Sequence, residues 1–404
     1  MTVCGSMATK YDVCVVGGAG HIGAPLAIVL ASRGLRTLGY DINPAAVAKL
    51  KSAEMPFLEE GAEPLLKAAL AAGTLDFSTS IEGVAKAPII ILTIGTPIDE
   101  YHNPRLDIID RAIDLLIPHL TNDHTLILCS TVFPGVTEHL DRYLKARGLA
   151  TKVAFCPERV VQGKAITELQ TLPQIVSGTT AAAEETAAEL FAKIAPKIVH
   201  MQPREAEFAK LISNAWRYIE FATANQFYMM IESAGLDYAR VIAGLREDYP
   251  RVWNLPGPGF AAGPCLMKDT MQLVAFENNR FPLGNLAVNL NEGLPNFIVE
   301  QLRKRNDLGR KKVGILGMAF KADIDDIRDA LSYKLGKILR FHDATVLYSD
   351  EYPKDPTFVS KEDLVEQSDI VIVGVPHRAY RTLVVPARVQ LVDLWGVIPS
   401  RKLD

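Results

Sequence analysis

The chain has 404 residues, more than one ordinary hydrophobic core accommodates, which implies two or three domains. Apolar residues make up 49% and the net charge is -4 with no long basic run, so the composition excludes a disordered chain and disfavours nucleic acid or an anionic membrane as partner. Five scattered cysteines, Cys4, Cys14, Cys129, Cys156 and Cys265, argue for a reducing cytoplasm, with neither a disulfide framework nor a metal site.

In chain order, the opening "MTVCGSMATK" lacks the apolar core of a signal peptide, so secretion is not expected. "DVCVVG" then reads as a short strand ending in glycine, and "APLAIVLASRG" as a helix closed by Gly34. "TLGYD", "PIIILTIG" and "TLILCS" are further strands with alanine-rich helices between them, and none is long enough to span a bilayer. Repeated βα units of this kind predict a parallel, doubly wound sheet, continued by "KVAFCPE" and "QIVSG" to about residue 200.

Inside that region "VVGGAGHIG" places Gly18, Gly20 and Gly23 in G-x-G-x-x-G spacing between a strand and a helix. Glycines there permit a tight turn and close backbone approach, and the helix N-terminus offers free N–H groups to a pyrophosphate. Asp41 ends the next strand and suits the ribose hydroxyls, which predicts NAD over NADP. Ser130 and Thr131 follow the fourth strand, where they reach either a ligand or only their own turn.

From Arg204 to Gly235 the spacing of Phe208, Leu211, Ile212, Ala215 and Ile219 predicts one long helix. Lys210 and Asn214 share a face of it, with Glu207 three residues before Lys210. Two readings stand: a Glu–Lys surface pair, or an Asn–Lys pair that stabilises an oxyanion or positions a water. An apolar stripe through Ile219, Phe227 and Ile231 predicts a homodimer through this helix.

A Pro/Gly-rich loop leads to "GFAAGPCLMKDT". If a helix begins at Cys265, Lys268 and Asp269 lie on the thiol's face. Helix N-termini and nearby lysines favour a thiolate. Asp269 opposes that and needs a cation, for which Lys210 or Lys268 serves. A thiol beside a nicotinamide can capture an aldehyde as a thiohemiacetal, which loses hydride to become a thioester that water opens. A second α/β region begins at "KKVGILG". Its strands echo the first set in order: "VGILGM" with "VCVVGG", "TVLYSD" with "TLGYD", "IVIVGV" with "IIILTIG".

The expected fold is therefore α/β: two Rossmann-like doubly wound domains, residues 1–200 and 306–404, joined by a helical middle domain, 201–305, with the long central helix and the cysteine. In their order, "GGAGHIG", "GTP", "STVFPG", "CPERVVQGKAITELQTLP", "AEFAKLISNAWR", "GPCLMKDT", "GILGMAFKADIDDIRD" and "VDLWG" resemble the motifs of the UDP-glucose/GDP-mannose dehydrogenase family, over roughly residues 11–398. That family oxidises a nucleotide sugar's C6 alcohol to a carboxylate in two NAD-dependent steps. The resemblance implies Cys265 as nucleophile, Lys210 and Asp269 handling water and the oxyanion, Asn214 as oxyanion donor and Glu158 as acid–base or water-positioning group, with Thr131 beside them. It implies NAD contacts from Gly18, Gly20, His21, Ile22, Gly23, Asp41, Thr96, Thr131 and Arg328. A UDP-sugar would meet Glu158, Arg159, Lys210, Asn214, Phe260, Phe320 and Lys321, with Arg251 reaching a neighbouring subunit's substrate. The loop "GFAAGPC" departs from the family's "GFGG", and Gln162 stands where many glucose-type members have glutamate. "CPER" and "YPRV" are similar to members acting on UDP-N-acetylhexosamines. A β-hydroxyacid dehydrogenase, which performs one oxidation and needs no cysteine, is the alternative; a non-catalytic nucleotide-sugar sensor is another.

Overall fold

The computed structural model describes residues 9–99 and 105–399; Cys4 and the opening octapeptide lie outside the described residues. The chain divides into two compact units, Met1–Ile212 and Ser213–Asp404.

In the first unit eight strands form one sheet: β1 (Val13–Val16), β2 (Thr37–Tyr40), β3 (Leu75–Ser78), β4 (Ile89–Leu92), β5 (Thr125–Leu128), β6 (Lys152–Phe155), β7 (Gln174–Gly178) and β8 (Ile198–His200). Their order is β3-β2-β1-β4-β5-β6-β7-β8. Helices α1 (Gly23–Ser32), α2 (Pro44–Lys51), α3 (Ala62–Ala71), α4 (Leu106–Leu116), α5 (Val136–Lys145), α6 (Ala165–Thr171) and α7 (Ala181–Phe191) connect them. Both faces of the sheet are covered, which is why β1 and β5 are buried throughout and read as unbroken apolar runs. Alternate side chains serve opposite layers: Val13 and Val15 pack with α1, α3 and α7, whereas Cys14 and Val16 pack with α4 and α5. The strand order reverses between β1 and β4, and the crevice outside their carboxyl ends is where such sheets bind ligands.

One expectation is corrected. The sheet is not parallel throughout, because β7 runs antiparallel to β6. The chain leaves β6 at its carboxyl edge and re-enters from that same edge: Gln174, the first residue of β7, donates to the Pro157 carbonyl at 3.0 Å. Buried Glu59 fixes the intervening turn by accepting from the Gly163 and Ala165 N–H groups at 2.9 and 2.6 Å.

The long helix α8 runs over Pro203–Ser233, 31 residues, or about 46 Å at ~1.5 Å per residue. The surface-pair reading of Glu207 fails. Its side chain is fully buried and accepts the Gly135 N–H at 2.5 Å, the Thr137 N–H at 2.8 Å and the Thr137 hydroxyl at 2.6 Å. It caps α5 from another helix. Burial pushes its carboxyl up, and these donors pull it back. Glu207→Ala is expected to cost about 2–3 kcal/mol, since it strands the α5 donors in the core. An unchanged urea midpoint would contradict this.

The second unit carries the rest of α8, then α9 (Tyr238–Arg246), α10 (Leu266–Phe276), α11 (Pro282–Arg303), α12 (Leu331–Phe341) and α13 (Lys361–Gln367). Strands β9 (Lys312–Leu316), β10 (Thr345–Ser349), β11 (Ile370–Val373) and β12 (Gln390–Val392) form a parallel sheet in the order β10-β9-β11-β12. This repeats the β2-β1-β4-β5 arrangement of the first unit, as the sequence echo predicts. The repetition reaches single hydrogen bonds: Gly17 N–H donates to Tyr40 O and Gly317 N–H to Ser349 O, each at 2.9 Å. On α8 the exposed large apolar side chains are Ile212, Trp216, Phe227 and Met230; Ile219 and Ile231, expected in that stripe, are half-buried.

Candidate active site

The turn after β1 fits a dinucleotide. Gly17 has φ +81°, and a Cβ on Gly18 would lie 2.6 Å from Gly39 Cα. A Cβ on Gly23 would lie 2.1 Å from Gly17 O, so these glycines let α1 and β2 close on the turn. Around Gly20 only Gly17 O, at 3.3 Å, is near, which leaves the backbone open to an approaching group. No side chain caps α1 at Ile22, so its N-terminal dipole faces that space. Asp41 accepts the Ala19 N–H at 3.0 Å with one oxygen and the Asn43 N–H at 2.9 Å with the other. It thereby ties the glycine turn to the end of β2. His21 stacks on Phe57 with centroids 4.0 Å apart, and its Nδ1 lies 3.0 Å from Gln162 Nε2.

At the ends of β4 and β5, the Thr96 hydroxyl donates to Thr131 O at 2.5 Å. Ser130 donates to Leu92 O at 3.3 Å, so its hydroxyl closes the turn. Glu158 lies beyond β6, 8% exposed, and accepts the Val160 N–H at 2.7 Å. Burial pushes its carboxyl up; the Lys210 charge and the Val160 and Arg159 N–H groups oppose that. Arg159 donates to Pro173 O.

In the second unit α10 begins as expected: Cys265 is its N-cap, and the Asp269 N–H donates to Cys265 O at 2.8 Å. Asp269 is fully buried, and one carboxylate oxygen faces Lys268 Nζ at 2.6 Å. The other accepts from Asn214 Nδ2 at 2.6 Å. Lys268, one of the two cations expected for Asp269, thus lies against it. Asn214 spends one N–H on Asp269 and keeps its second for another acceptor. Arg328 is held in a double contact with Asp326, Nη2 to Oδ2 at 2.5 Å. That bond, partly countered by burial, holds the guanidinium above its ordinary pKa, with the charges of Cys265 and Asp329 adding.

Thiol exposure separates Cys265 from the other described cysteines. Cys14, Cys129 and Cys156 are buried and Cys265 is exposed. Burial pushes the Cys14 thiol up to about 12 and raises the Cys129 and Cys156 thiols as well, so none of the three supplies a thiolate near neutral pH.

The loop before the thiol is anchored at Gly259, which exchanges two hydrogen bonds with the buried Asn225 amide, 2.8 and 3.0 Å. Phe260, expected as a substrate contact, is buried, and its ring belongs to the core cluster of Leu294, Ile298 and Met318. Gly263 has φ +94°, and a Cβ there would lie 2.5 Å from the Phe320 ring. Phe320 is thus packed two residues from Cys265. Lys321 beside it is half-buried, and Arg251 is exposed with its guanidinium 6.0 Å from the Tyr249 ring centroid. Sequence reasoning missed Gly17, Glu59 and Asp326; the paired glycines after β1 were the available signal for the first.

Among the described residues no helix is long and apolar enough to cross a membrane, and no group of three or more His, Cys, Asp or Glu side chains could hold a metal ion. Family models match three successive segments: the NAD binding domain of the UDP-glucose/GDP-mannose dehydrogenase family over residues 11–195, its central domain over 204–292 and its UDP binding domain over 314–399. A UDP-N-acetyl-D-mannosamine dehydrogenase of Methanocaldococcus jannaschii is 32% identical over 378 residues, covering 91% of this chain and 86% of that protein. An NDP-N-acetyl-D-galactosaminuronic acid dehydrogenase of Ralstonia nicotianae is 28% identical over 389 residues, 91% of each. The solved structure of a UDP-D-ManNAc dehydrogenase from Pyrococcus horikoshii matches with a TM-score of 0.89 at 28% identity, over 97% of both chains. With a glycine turn shaped for a dinucleotide and a match that runs through all three segments, the chain belongs to the UDP-glucose/GDP-mannose dehydrogenase family, whose members are NAD-dependent nucleotide-sugar dehydrogenases.

Proposed function

We propose that the protein oxidises the C6 alcohol of a UDP-N-acetylhexosamine to the uronic acid in two steps, through a thiohemiacetal and a thioester on Cys265. The observation that carries this is the exposed thiol at the α10 N-cap, while the other described cysteines are buried. The sugar class rests on the named substrates of the relatives and on the "CPER" and "YPRV" stretches. On this reading residues 1–200 bind NAD, 201–305 carry the thiol and 306–404 bind the nucleotide sugar.

NAD, held by Gly18, Gly20, His21, Ile22, Gly23, Asp41, Thr96, Thr131 and Arg328, supplies the hydride acceptor for both oxidations. Lys210 stabilises the alkoxide as the C6 hydroxyl passes its proton to a water molecule. The Cys265 sulfur then adds to the aldehyde carbon, and the second amide N–H of Asn214 supports the resulting oxyanion. After the second oxidation the acyl group rests on sulfur as a thioester. Glu158, its carboxyl raised by burial, takes a proton from the attacking water, and the carbon–sulfur bond breaks to return the thiol. Asp269, fixed between Lys268 and Asn214, orients that amide. Arg159, Phe320 and Lys321 meet the UDP-sugar.

The test is stoichiometric. Each UDP-N-acetylhexosamine consumed should yield two NADH and one uronic acid. One NADH and a released aldehyde would instead support the single-oxidation alternative, and no turnover on any UDP-sugar the sensor. The reading also includes a homodimer, with Trp216, Phe227 and Met230 of α8 covered by a second copy and Arg251 completing the partner's site. Sedimentation should show a dimer, and a stable, fully active monomer would refute it.

A further inference from the structure

The loop after β9, residues 317–326, carries Phe320 and Lys321. Its start is held by Asp350, whose Oδ2 accepts the Met318 and Ala319 N–H groups at 2.5 and 2.9 Å. Its far limb is held by His377: the Asp323 N–H donates to His377 Nδ1 at 2.9 Å. The same imidazole reaches back to Asp350, with Nε2 3.1 Å from Oδ2. His377 is completely buried, and so is the Asp350 side chain. One ring therefore closes the loop from both ends. Because Nδ1 accepts a backbone N–H, the ring proton is assigned to Nε2 and is donated to Asp350. Asp323, in the left-handed region at φ +60°, is held further by the Tyr352 hydroxyl at 2.9 Å, the Arg378 N–H at 3.0 Å and Arg378 Nε at 2.7 Å.

The internal repeat shows what is new here. Asp350 is the counterpart of Asp41, and both accept the N–H of an alanine in the preceding turn, Ala319 and Ala19. Asp41 hydrogen-bonds backbone N–H groups, is half-buried and keeps a surface for a ligand. Asp350 has an imidazole laid against it. His377 stands four residues beyond β11, the place that Thr96 takes four residues beyond β4. In the first unit this crevice addresses a cofactor. In the second, its acid and its β11-side residue are turned inward onto each other and onto the loop.

We infer that His377 is a positioning residue for nucleotide-sugar binding: by bridging Asp350 and Asp323 it sets the conformation of the loop that presents Phe320 and Lys321. The inference rests on the reading above that those two residues meet the UDP-sugar. It is tested on the full-length enzyme with UDP as probe, by calorimetry, together with KM for UDP-sugar and for NAD and the melting temperature. His377→Ala is expected to weaken UDP about 10–100-fold, in keeping with the loss of one or two preorganised polar contacts, and to raise the sugar KM in parallel. KM for NAD should stay within about twofold, because the cradle in the first unit is untouched. His377→Gln, whose amide can accept from Asp323 and donate to Asp350, should recover part of the affinity. Native UDP affinity in His377→Ala overturns the inference. So does an equal loss of UDP and NAD affinity in a His377→Gln enzyme that melts early, since that marks a merely structural ring. Lys321→Ala and Phe320→Ala separate the two levels. If both bind UDP normally, the site assignment fails; if both bind weakly while His377→Ala binds normally, only the role of His377 fails.

Discussion

Replacing Cys265 with alanine is expected to lower net uronic-acid formation by several orders of magnitude while leaving slow alcohol–aldehyde exchange. In the proposed mechanism the thiol is needed only after the first oxidation, when its sulfur captures the aldehyde; without it no thioester forms and the acid is reached only through the hydrate. A loss of ~10³-fold or more, or ~4 kcal/mol of barrier, is the scale for removing a covalent nucleophile. Buried Cys14, Cys129 and Cys156 are in no position to substitute. Cys265→Ser should attack poorly, because a hydroxyl needs a base that a thiolate does not. Any acyl group it does acquire is an ester, slower to hydrolyse, and would appear by intact mass as protein plus sugar nucleotide. Near-native yield of two NADH per sugar from Cys265→Ala would make the residue structural.

Lys210→Ala is expected to slow both oxidation and release, since charge develops on oxygen in each. Loss of one preorganised donor typically costs ~10²–10³-fold in kcat, about 3–4 kcal/mol. A second effect follows from Glu158. Burial raises its carboxyl above the ordinary 4.5, and the Lys210 charge is the first influence holding it down. In the proposed mechanism the basic form of Glu158 works on water, so activity is expected to fall as pH drops through its pKa. Removing Lys210 lets that pKa climb further, and the acid limb of the pH–rate profile should move to higher pH. In Glu158→Gln the limb should disappear. An identical limb in all three enzymes would assign it to another group.

How far these features were legible depended on the range of the interactions that make them. The glycine turn, the start of α10 at Cys265 and the course of α8 are local patterns, and each lay open in the sequence. The helix α11 was not among the expected elements: proline disfavours a helix interior, yet Pro295 sits buried inside a 22-residue helix. Glu207 looked like half of a surface pair because its true partners, Gly135 and Thr137, are about seventy residues away in the chain. The direction of β7 hangs on tertiary hydrogen bonds from Glu59 and Gln174. His377, in "GVPHRAY", gave no sign of its link to Asp323, 54 residues earlier.

The contact of Gly263 with Phe320 bears on how this stretch tolerates mutational drift. Ala261 is buried in a small cluster with Tyr218 and Ala287, and Ala262 packs against the core of the second unit, so the methyl groups at these two positions are part of the packing. At Gly263 the Phe320 ring stands where a Cβ would go, and the backbone is left-handed. A methyl group is thus borne at 261 and 262, whereas at 263 any side chain meets both the Phe320 ring and a left-handed backbone. The stretch before Cys265 and the loop after β9 are therefore packed as a pair, and a side chain placed at 263 would displace the loop that carries Phe320.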